Sequence, residues 1–335
     1  MISKNRLIKA YMKKALILGI SGQDGAYLAE FLLQKGYQVV GCSRDAEMRN
    51  FSNLTRLKIR GDIEIESVFL NDFRRVLQIL TTVAPDEVYN LAGQSSVGLS
   101  FEQPVETFQS VGMATLNLLE AVRYLGQPIR IYNAGSGECF GNTGKSAASE
   151  QTSFRPRSPY AVAKAAASCQ VRNYREAYGV FACTGILFNH ESPLRPVRFV
   201  TRKIVNAACL IAKGEMKSLD LGNVSVERDW GWAPEYVEAM WLILQQDTPE
   251  DYVIATGETN KLEDFVDEAF VAVGLDWRTY VTTDQSLLRP TEIMTIRADP
   301  GKAKRKLGWK AHFKMADVAR MMVEEQMRML DQPPE

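Results

Sequence analysis

Histidine is almost missing from this chain, with only His190 and His312 among 335 residues. A His-rich metal site is thereby excluded, and nothing in the cysteine pattern replaces it, so no metal is expected. Cysteine is scarce as well: Cys42, Cys139, Cys169, Cys183 and Cys209 form an odd, scattered set with no CxxC pair. In a chain of this length they read as reduced thiols of a cytoplasmic protein, mostly small core residues. No apolar run approaches the roughly 20 residues that span a bilayer, so no membrane partner is expected. A charge surplus is also lacking. Lys plus Arg and Asp plus Glu both count 40, a formal net charge of zero. Gripping a phosphate backbone draws on a basic excess or a strong basic cluster, so nucleic acid is not an expected partner. A local basic pocket for a small phosphorylated ligand stays compatible with the balanced total.

What is present is the composition of a globular enzyme, with 46% hydrophobic and 24% charged residues. Residues 1–11 are basic without the apolar core of a signal peptide, and read as a disordered extension. Beyond them short apolar runs alternate with helical spacing. Ala15–Leu18, Gln38–Cys42, Ile63–Val68, Glu87–Ala92, Arg130–Gly135 and Phe181–Phe188 read as strands. The spacing predicts helices over 24–35, 72–82, 106–125 and 158–178 between them. This β-α alternation predicts an α/β fold with a doubly wound parallel (Rossmann) sheet. After residue 190 the rhythm loosens, with helices predicted over 199–213, 234–245, 261–272, 299–306 and 314–330, and strands over 219–221 and 252–255. We expect a dinucleotide-binding domain over 12–189, to which elements near 230–258 return. A smaller mixed lobe over 190–335 would mainly bind substrate.

Gly19-Ile20-Ser21-Gly22-Gln23-Asp24-Gly25 lies between the first strand and the first helix. Glycines there allow a tight turn, close approach to a pyrophosphate and packing of helix on sheet. The helix N-terminus adds partial positive charge. The GxxGxxG spacing resembles the short-chain dehydrogenase superfamily. The second strand runs into Arg44-Asp45. An acidic residue at this place would take the ribose hydroxyls of NAD, whereas an arginine suits the extra phosphate of NADP. Because Arg44 comes first, NADP is the expected cofactor; the alternative is an Arg44 that merely pairs with Asp45 in solvent.

Tyr160 and Lys164 are four residues apart, on one face of the helix predicted over 158–178. The strand before it ends in Ala134-Gly135-Ser136-Gly137-Glu138. An ammonium near a phenol stabilises the phenolate and is expected to lower the Tyr160 pKa. Tyr160 could then take a hydroxyl proton while the adjacent carbon loses hydride to a nicotinamide, with Ser136 holding the oxygen. Glu138 adds a carboxylate that dehydrogenation alone does not need. It could remove a proton next to a new ketone and pass it to a departing hydroxyl, although a loop glutamate is more often solvated than catalytic.

The segments GISGQDGAYLAEFLLQKGY, EVYNLAGQSSVGLSF, RPRSPYAVAKA, NYREAYGVFACTGILFNHESPLRP, FVTRK and LGNVSVERDWG together resemble the GDP-mannose 4,6-dehydratase family of extended short-chain dehydrogenases. The likeness runs from about Lys13 to Leu330. It implies oxidation at carbon 4 of GDP-mannose, loss of water across carbons 5 and 6, and return of the hydride to carbon 6, with NADP recycled. Catalysis is implied for Ser136, Glu138, Tyr160 and Lys164. Cofactor contacts are implied for Gly19, Gly22, Gln23, Asp24, Gly25 and Arg44, for Leu91, Ala92, Gln94 and Ser95, and for Lys164, His190 and Arg195. Nucleotide-sugar contacts are implied for Asn189, Lys203, Gly222, Arg228, Arg289 and Glu292.

Each carried residue has a plainer alternative: a core histidine at 190, an Arg228–Asp229 pair, a solvated helix charge at Lys203. The chain also departs from the family. Phe69 stands where an Asp usually meets adenine, glycines flank Ser136, Pro196 replaces a common glycine, and the loop after Arg44 is short. The resemblance implies a homodimer or homotetramer built on paired long helices, and apolar Leu116, Leu119, Val122, Val162 and Val171 are candidates for that contact. Two rival functions share the same residues. A net NADPH-dependent reductase or epimerase on a related GDP-hexose would not need Glu138, and a non-catalytic nucleotide-binding protein would need none of the four.

Overall fold

The computed structural model describes residues 12–48 and 50–331, so the expected extension over 1–11 lies outside the described residues. Most strands of the first half are short runs buried along their length. Strand β1 (Lys14–Leu18) is followed by helix α1 (Gln23–Gln34), β2 (Gln38–Ser43), α2 (Ser52–Arg56), β3 (Glu64–Ser67), α3 (Phe73–Val83) and β4 (Glu87–Asn90). Next come α4 (Val97–Glu102), α5 (Pro104–Phe108), α6 (Ala114–Leu125), β5 (Arg130–Ala134), α7 (Pro159–Tyr178) and β6 (Ala182–Leu187). Local chemistry sets several ends. Asp72 accepts from the Arg75 amide to start α3. Ser158 accepts from the Ala161 amide ahead of Pro159 to start α7, which stops at Gly179 in the left-handed region.

The remaining elements are β7 (Asn189–Glu191), α8 (Val200–Ala212), β8 (Leu219–Leu221), β9 (Glu227–Arg228), β10 (Trp230–Trp232), α9 (Ala233–Leu244), β11 (Tyr252–Ile254), β12 (Asn260–Lys261), α10 (Leu262–Val271), β13 (Val281–Thr283), α11 (Gly301–Leu307) and α12 (Met315–Asp331). Seven strands form one sheet in the order β11-β6-β5-β4-β1-β2-β3. All of its pairings are parallel. The strand order reverses beside β1, which pairs with β2 on one side and β4 on the other. Ligands of such sheets lie in the crevice at that reversal.

Period-two alternation divides the core. Ala15 and Ile17 face the layer of α1 and α9, packing with Leu28, Leu32, Tyr236 and Met240. Leu16 and Leu18 face α3, α6 and α7, packing with Val76, Leu80, Leu118 and Val171. A separate cluster joins α8, α10 and α12 around Trp230, Phe265 and Phe270. Among the described residues no helix is long and apolar enough to cross a membrane.

Three differences from the sequence reading have physical reasons. The helix predicted over 106–125 begins at Pro104 and is interrupted by a π turn at Gln109–Met113. That turn brings the Ser110 hydroxyl to the Gln94 amide, 3.2 Å away, and fits Val111 against Gly93, where a Cβ would lie 2.8 Å from the Val111 side chain. The short elements α2, α4, β7, β9, β10, β12 and β13 were not expected, because two to six residues do not display a countable period. Third, Leu119, Val122 and Val171 are buried inside the protomer rather than free for a partner. The exposed apolar side chains on these helices are Val105, Phe108, Met113, Tyr124, Val162 and Tyr178.

Candidate active site

The glycine loop is held in a shape that side chains would prevent. Gly19 has φ +91°, and a Cβ there would lie 2.9 Å from the Leu91 carbonyl carbon. A Cβ at Gly25 would meet the Gly19 oxygen at 2.4 Å, so α1 could not approach the loop. Gly22 precedes α1 and supplies no side-chain cap, which leaves the first-turn amides available to an anion. These residues line a cavity of about 640 Å³, with Gln23 and Asp24 at the start of α1 and Leu91, Ala92, Gln94 and Ser95 after β4.

Arg44 and Phe69 close the cavity on the β2–β3 side. Arg44 does not pair with Asp45. Its Nη1 lies 3.1 Å from Glu106 Oε1 at the solvent-exposed rim, while Asp45 accepts the Glu47 and Met48 amides. Phe69 is 51% exposed, unusual for a ring of that size.

Behind the loop lies a buried ion pair. His190 Nε2 is 2.9 Å from Asp24 Oδ2, and Nδ1 is 2.7 Å from the Phe188 carbonyl oxygen. Both ring nitrogens therefore face acceptors, which only an imidazolium can satisfy with two donated hydrogens. Burial alone would raise the Asp24 carboxyl, but the His190 charge and hydrogen bond hold it down at about 2. Burial opposes protonation of His190, and Asp24 outweighs it, so the imidazole is raised. The ring stacks on Tyr236 at 4.6 Å. Gln23 ties the same strand to α1, donating to the His190 carbonyl and accepting from the Ser192 hydroxyl.

A second cavity, of about 460 Å³, opens at the carboxyl ends of β5 and β6. Ser136, Glu138, Tyr160 and Lys164 all line it. The glycines flanking Ser136 are required by close packing. A Cβ at Gly135 would lie 2.6 Å from the Thr184 methyl, and one at Gly137 3.0 Å from the Phe188 ring. Ser136 hydrogen-bonds the Tyr160 side chain. Lys164 Nζ donates to the Ala134 carbonyl at 2.8 Å and lies 5.9 Å from the centre of the Tyr160 ring. Burial lowers the Lys164 ammonium to about 8. The expectation that Lys164 lowers the Tyr160 pKa is not met. Burial dominates and pushes the phenol up, with the Ser136 hydrogen bond only partly opposing it.

The same cavity gathers Asn189, Lys203, Gly222, Arg228, Arg289 and Glu292 from the second half of the chain, together with His190 and Arg195. Arg228 is not paired with Asp229, whose carboxylate accepts the Thr256 and Gly257 amides. Its Nε instead lies 3.6 Å from Glu138 Oε1, and Nη2 lies 4.0 Å from Glu292 Oε1. Lys203 Nζ donates to the Asp220 carbonyl at 2.6 Å. Arg195 borders both cavities, with its Nε 3.2 Å from Glu191 and its guanidinium 3.9 Å over the Phe199 ring. Sequence reasoning missed Arg198, which also borders both cavities and sits 5.1 Å over the same ring. The basic spacing of Arg195 and Arg198 was the available signal. Glu106, the partner of Arg44, carried none.

A glycine loop at the reversal of a parallel sheet, with Ser, Tyr and Lys at the carboxyl ends of neighbouring strands, defines a Rossmann protein of the short-chain dehydrogenase class. A glutamate and a cluster of cations in the same cavity narrow the class. The GDP-mannose 4,6 dehydratase family model matches residues 16–322. The chain is 46% identical over 327 residues to GDP-mannose 4,6 dehydratase 1 of Arabidopsis thaliana, covering 95% of this chain and 90% of that one. It is 42% identical over 350 residues to the GDP-mannose 4,6-dehydratase of Vibrio cholerae, covering 94% of each. A solved UDP-glucose 4-epimerase from Thermus thermophilus, complexed with NAD, matches at TM-score 0.81 and 25% identity, covering 93% of this chain and 98% of that one. The chain belongs to the GDP-mannose 4,6-dehydratase family.

Proposed function

We propose that Ser136, Glu138, Tyr160 and Lys164 carry out the family's hydro-lyase reaction, converting GDP-mannose to GDP-4-keto-6-deoxymannose, with NADP recycled on the protein. The observation that carries this reading is the Glu138 carboxylate sharing one cavity with Ser136, Tyr160 and Lys164. An ordinary dehydrogenase has no use for it.

The residues fit a nicotinamide dinucleotide. Uncapped amides at Gly22–Asp24 suit its pyrophosphate, the Arg44 guanidinium suits a ribose phosphate, and the exposed Phe69 ring offers adenine an apolar face in place of a carboxylate. Asp24 borders both cavities while Lys164 and His190 line the second, where Lys164 would hold the nicotinamide ribose. A nicotinamide held there would supply a site that takes up the carbon 4 hydride and gives it back. Tyr160 takes the carbon 4 hydroxyl proton as that hydride leaves, with Ser136 donating to the forming carbonyl oxygen. Glu138 removes the carbon 5 proton, made acidic by the ketone, and protonates the hydroxyl leaving carbon 6. Hydride return to carbon 6 would be matched by a proton at carbon 5, balanced by the one Tyr160 took from the carbon 4 hydroxyl, so the cycle closes without net redox change. Lys203, Arg228 and Arg289 supply positive charge for the nucleotide diphosphate. Incubation with GDP-mannose and mass spectrometry test the reading directly: loss of one water supports it, and a product differing by two hydrogens points to a reductase instead.

NADP should bind more tightly than NAD by about tenfold or more, from one charge-assisted contact at Arg44. Titrating the stripped protein with both cofactors measures the ratio, and Arg44→Ala should erase it. Equal affinities in the parent protein would assign Arg44 to Glu106 alone.

The exposed Val105, Phe108, Met113 and Val162 belong to helices packed side by side, α5 with its continuation into α6, and α7. Two copies of this surface would meet as a four-helix contact across a twofold axis. Light scattering of the cytoplasmic enzyme at micromolar concentration should give a dimer or tetramer, and Phe108→Asp with Val162→Asp should yield a monomer.

A further inference from the structure

Arg202 is a buried cation with a neutral partner. It is 5% exposed and stands in the first turn of α8, on the face turned toward α12. Its Nη2 donates to Gln326 Oε1 at 2.5 Å, and Gln326 Nε2 donates in turn to Asn206 Oδ1 at 3.1 Å. Asn206 lies one turn further along α8, so the Gln326 amide spans one face of that helix. Both ends of the amide are used, and neither carries charge. The Nε and Nη1 of Arg202 are buried without a hydrogen-bond partner among the described residues. Glu325, the carboxylate whose charge reaches Arg202, is taken up by Arg56 at 3.8 Å and by Arg328 at 2.5 Å.

The surroundings make the charge harder to hold. A guanidinium does not deprotonate in a folded protein, so it cannot escape the interior by becoming neutral. Burial disfavours this cation first, and the nearby Arg56 charge adds to the effect. Helix α8 begins without a side-chain cap, and its N-terminus contributes further partial positive charge. Arg56 reaches the place from α2, held by Nη1 on the Pro193 carbonyl at 3.2 Å. Asn53 of the same helix donates to the Ser21 carbonyl of the glycine loop at 3.2 Å. The positive surplus therefore lies where the dinucleotide half of the chain meets α8 and α12.

We propose that Arg202 binds a small inorganic anion, of about the size of chloride, in an enclosed site between α8 and α12, with Arg56 adding charge from α2. The anion balances the guanidinium and accepts from its unpartnered N–H groups. It thereby joins α8, whose Thr201 and Lys203 line the second cavity, to α12 and to the helix behind the glycine loop. A site this enclosed suits a halide and not an organic phosphate. Water in the same place would accept the hydrogens and leave the charge unbalanced.

The test uses the full chain saturated with NADP and GDP, so that anions cannot act through the phosphate sites of the two cavities. Melting temperature is read in sodium gluconate, chloride and bromide at one ionic strength. The parent should gain roughly 3–6 °C in saturating halide, with a hyperbolic dependence on its concentration. Arg202→Met removes the charge at similar volume, so it should lose the gain and melt in gluconate no lower than the parent. Gln326→Glu puts a carboxylate against Arg202; it should also lose the gain and melt in gluconate near the parent in chloride. Crystals soaked in bromide should give an anomalous peak beside the Arg202 guanidinium in the parent and none in Gln326→Glu. A parent indifferent to halide, a response that survives in either variant, or no bromide beside Arg202 overturns the proposal. If Arg202→Met does not fold, Gln326→Glu decides, because its carboxylate competes with any anion at that guanidinium.

Discussion

Glu138→Gln should lower product formation by roughly 100-fold or more while leaving the first hydride transfer intact. The amide keeps the shape of the carboxylate and loses the base, so the sugar should stall as a 4-keto species beside reduced nicotinamide. A single-turnover experiment should show that absorbance rise and hold, where the parent enzyme shows it only transiently. The substitution also removes a buried negative charge facing Arg228. Arg228 keeps Glu292 at 4.0 Å but loses its nearer carboxylate, so a modest loss of thermal stability should accompany the kinetic effect. Isotope labelling checks the cycle in the parent enzyme. GDP-mannose deuterated at carbon 4 should give a product carrying deuterium at carbon 6, with none released in free cofactor. A Gln variant with normal turnover, or deuterium recovered in free NADPH, would leave Glu138 without a catalytic role.

The parallel sheet was legible because its strands other than β3 are short runs buried on both faces, and α1, α3, α6 and α7 are long enough to show their period. Leu16 and Leu18 against Ala15 and Ile17 illustrate how completely such a strand is enclosed. The limits of that legibility are also physical. Helix faces in a layered fold are covered from more than one side, so apolar Leu119, Val122 and Val171 read as surplus and are in fact core. The π turn at Gln109–Met113 leaves no periodic trace, since it shifts the helix phase by a single residue.

In the site, motif residues were found because each sits next to a recognisable strand end. Their partners were not, because charge pairing depends on tertiary approach. Arg44 meets Glu106 and not its neighbour Asp45. Arg228 meets Glu138 and not Asp229. Asp24 meets His190, a residue 166 positions away. A neighbouring opposite charge in sequence is a poor guide here, since adjacent residues on a strand point to opposite faces. Asp229 is therefore turned toward the Thr256–Gly257 backbone while Arg228 faces the cavity.

That distinction between motif and environment bears most directly on Tyr160. Its hydroxyl is pushed up by burial, and Lys164 is itself lowered to about 8 by burial. A bound oxidised nicotinamide would add its positive charge to that of Lys164 and favour the phenolate. Tyr160→Phe should lower turnover by about 1,000-fold, within the usual range for removing a general base. Because the hydroxyl borders the cavity beside Ser136, thermal stability should change little. The two catalytic variants should also differ in kind. Tyr160→Phe blocks carbon 4 oxidation, so no reduced nicotinamide should appear, whereas Glu138→Gln accumulates it. The double variant should then behave like Tyr160→Phe alone, because a block at the first step hides any block at the second. A double variant that accumulates reduced nicotinamide as Glu138→Gln does would show that hydride leaves carbon 4 without the phenol, and the base would have to be sought elsewhere in the cavity.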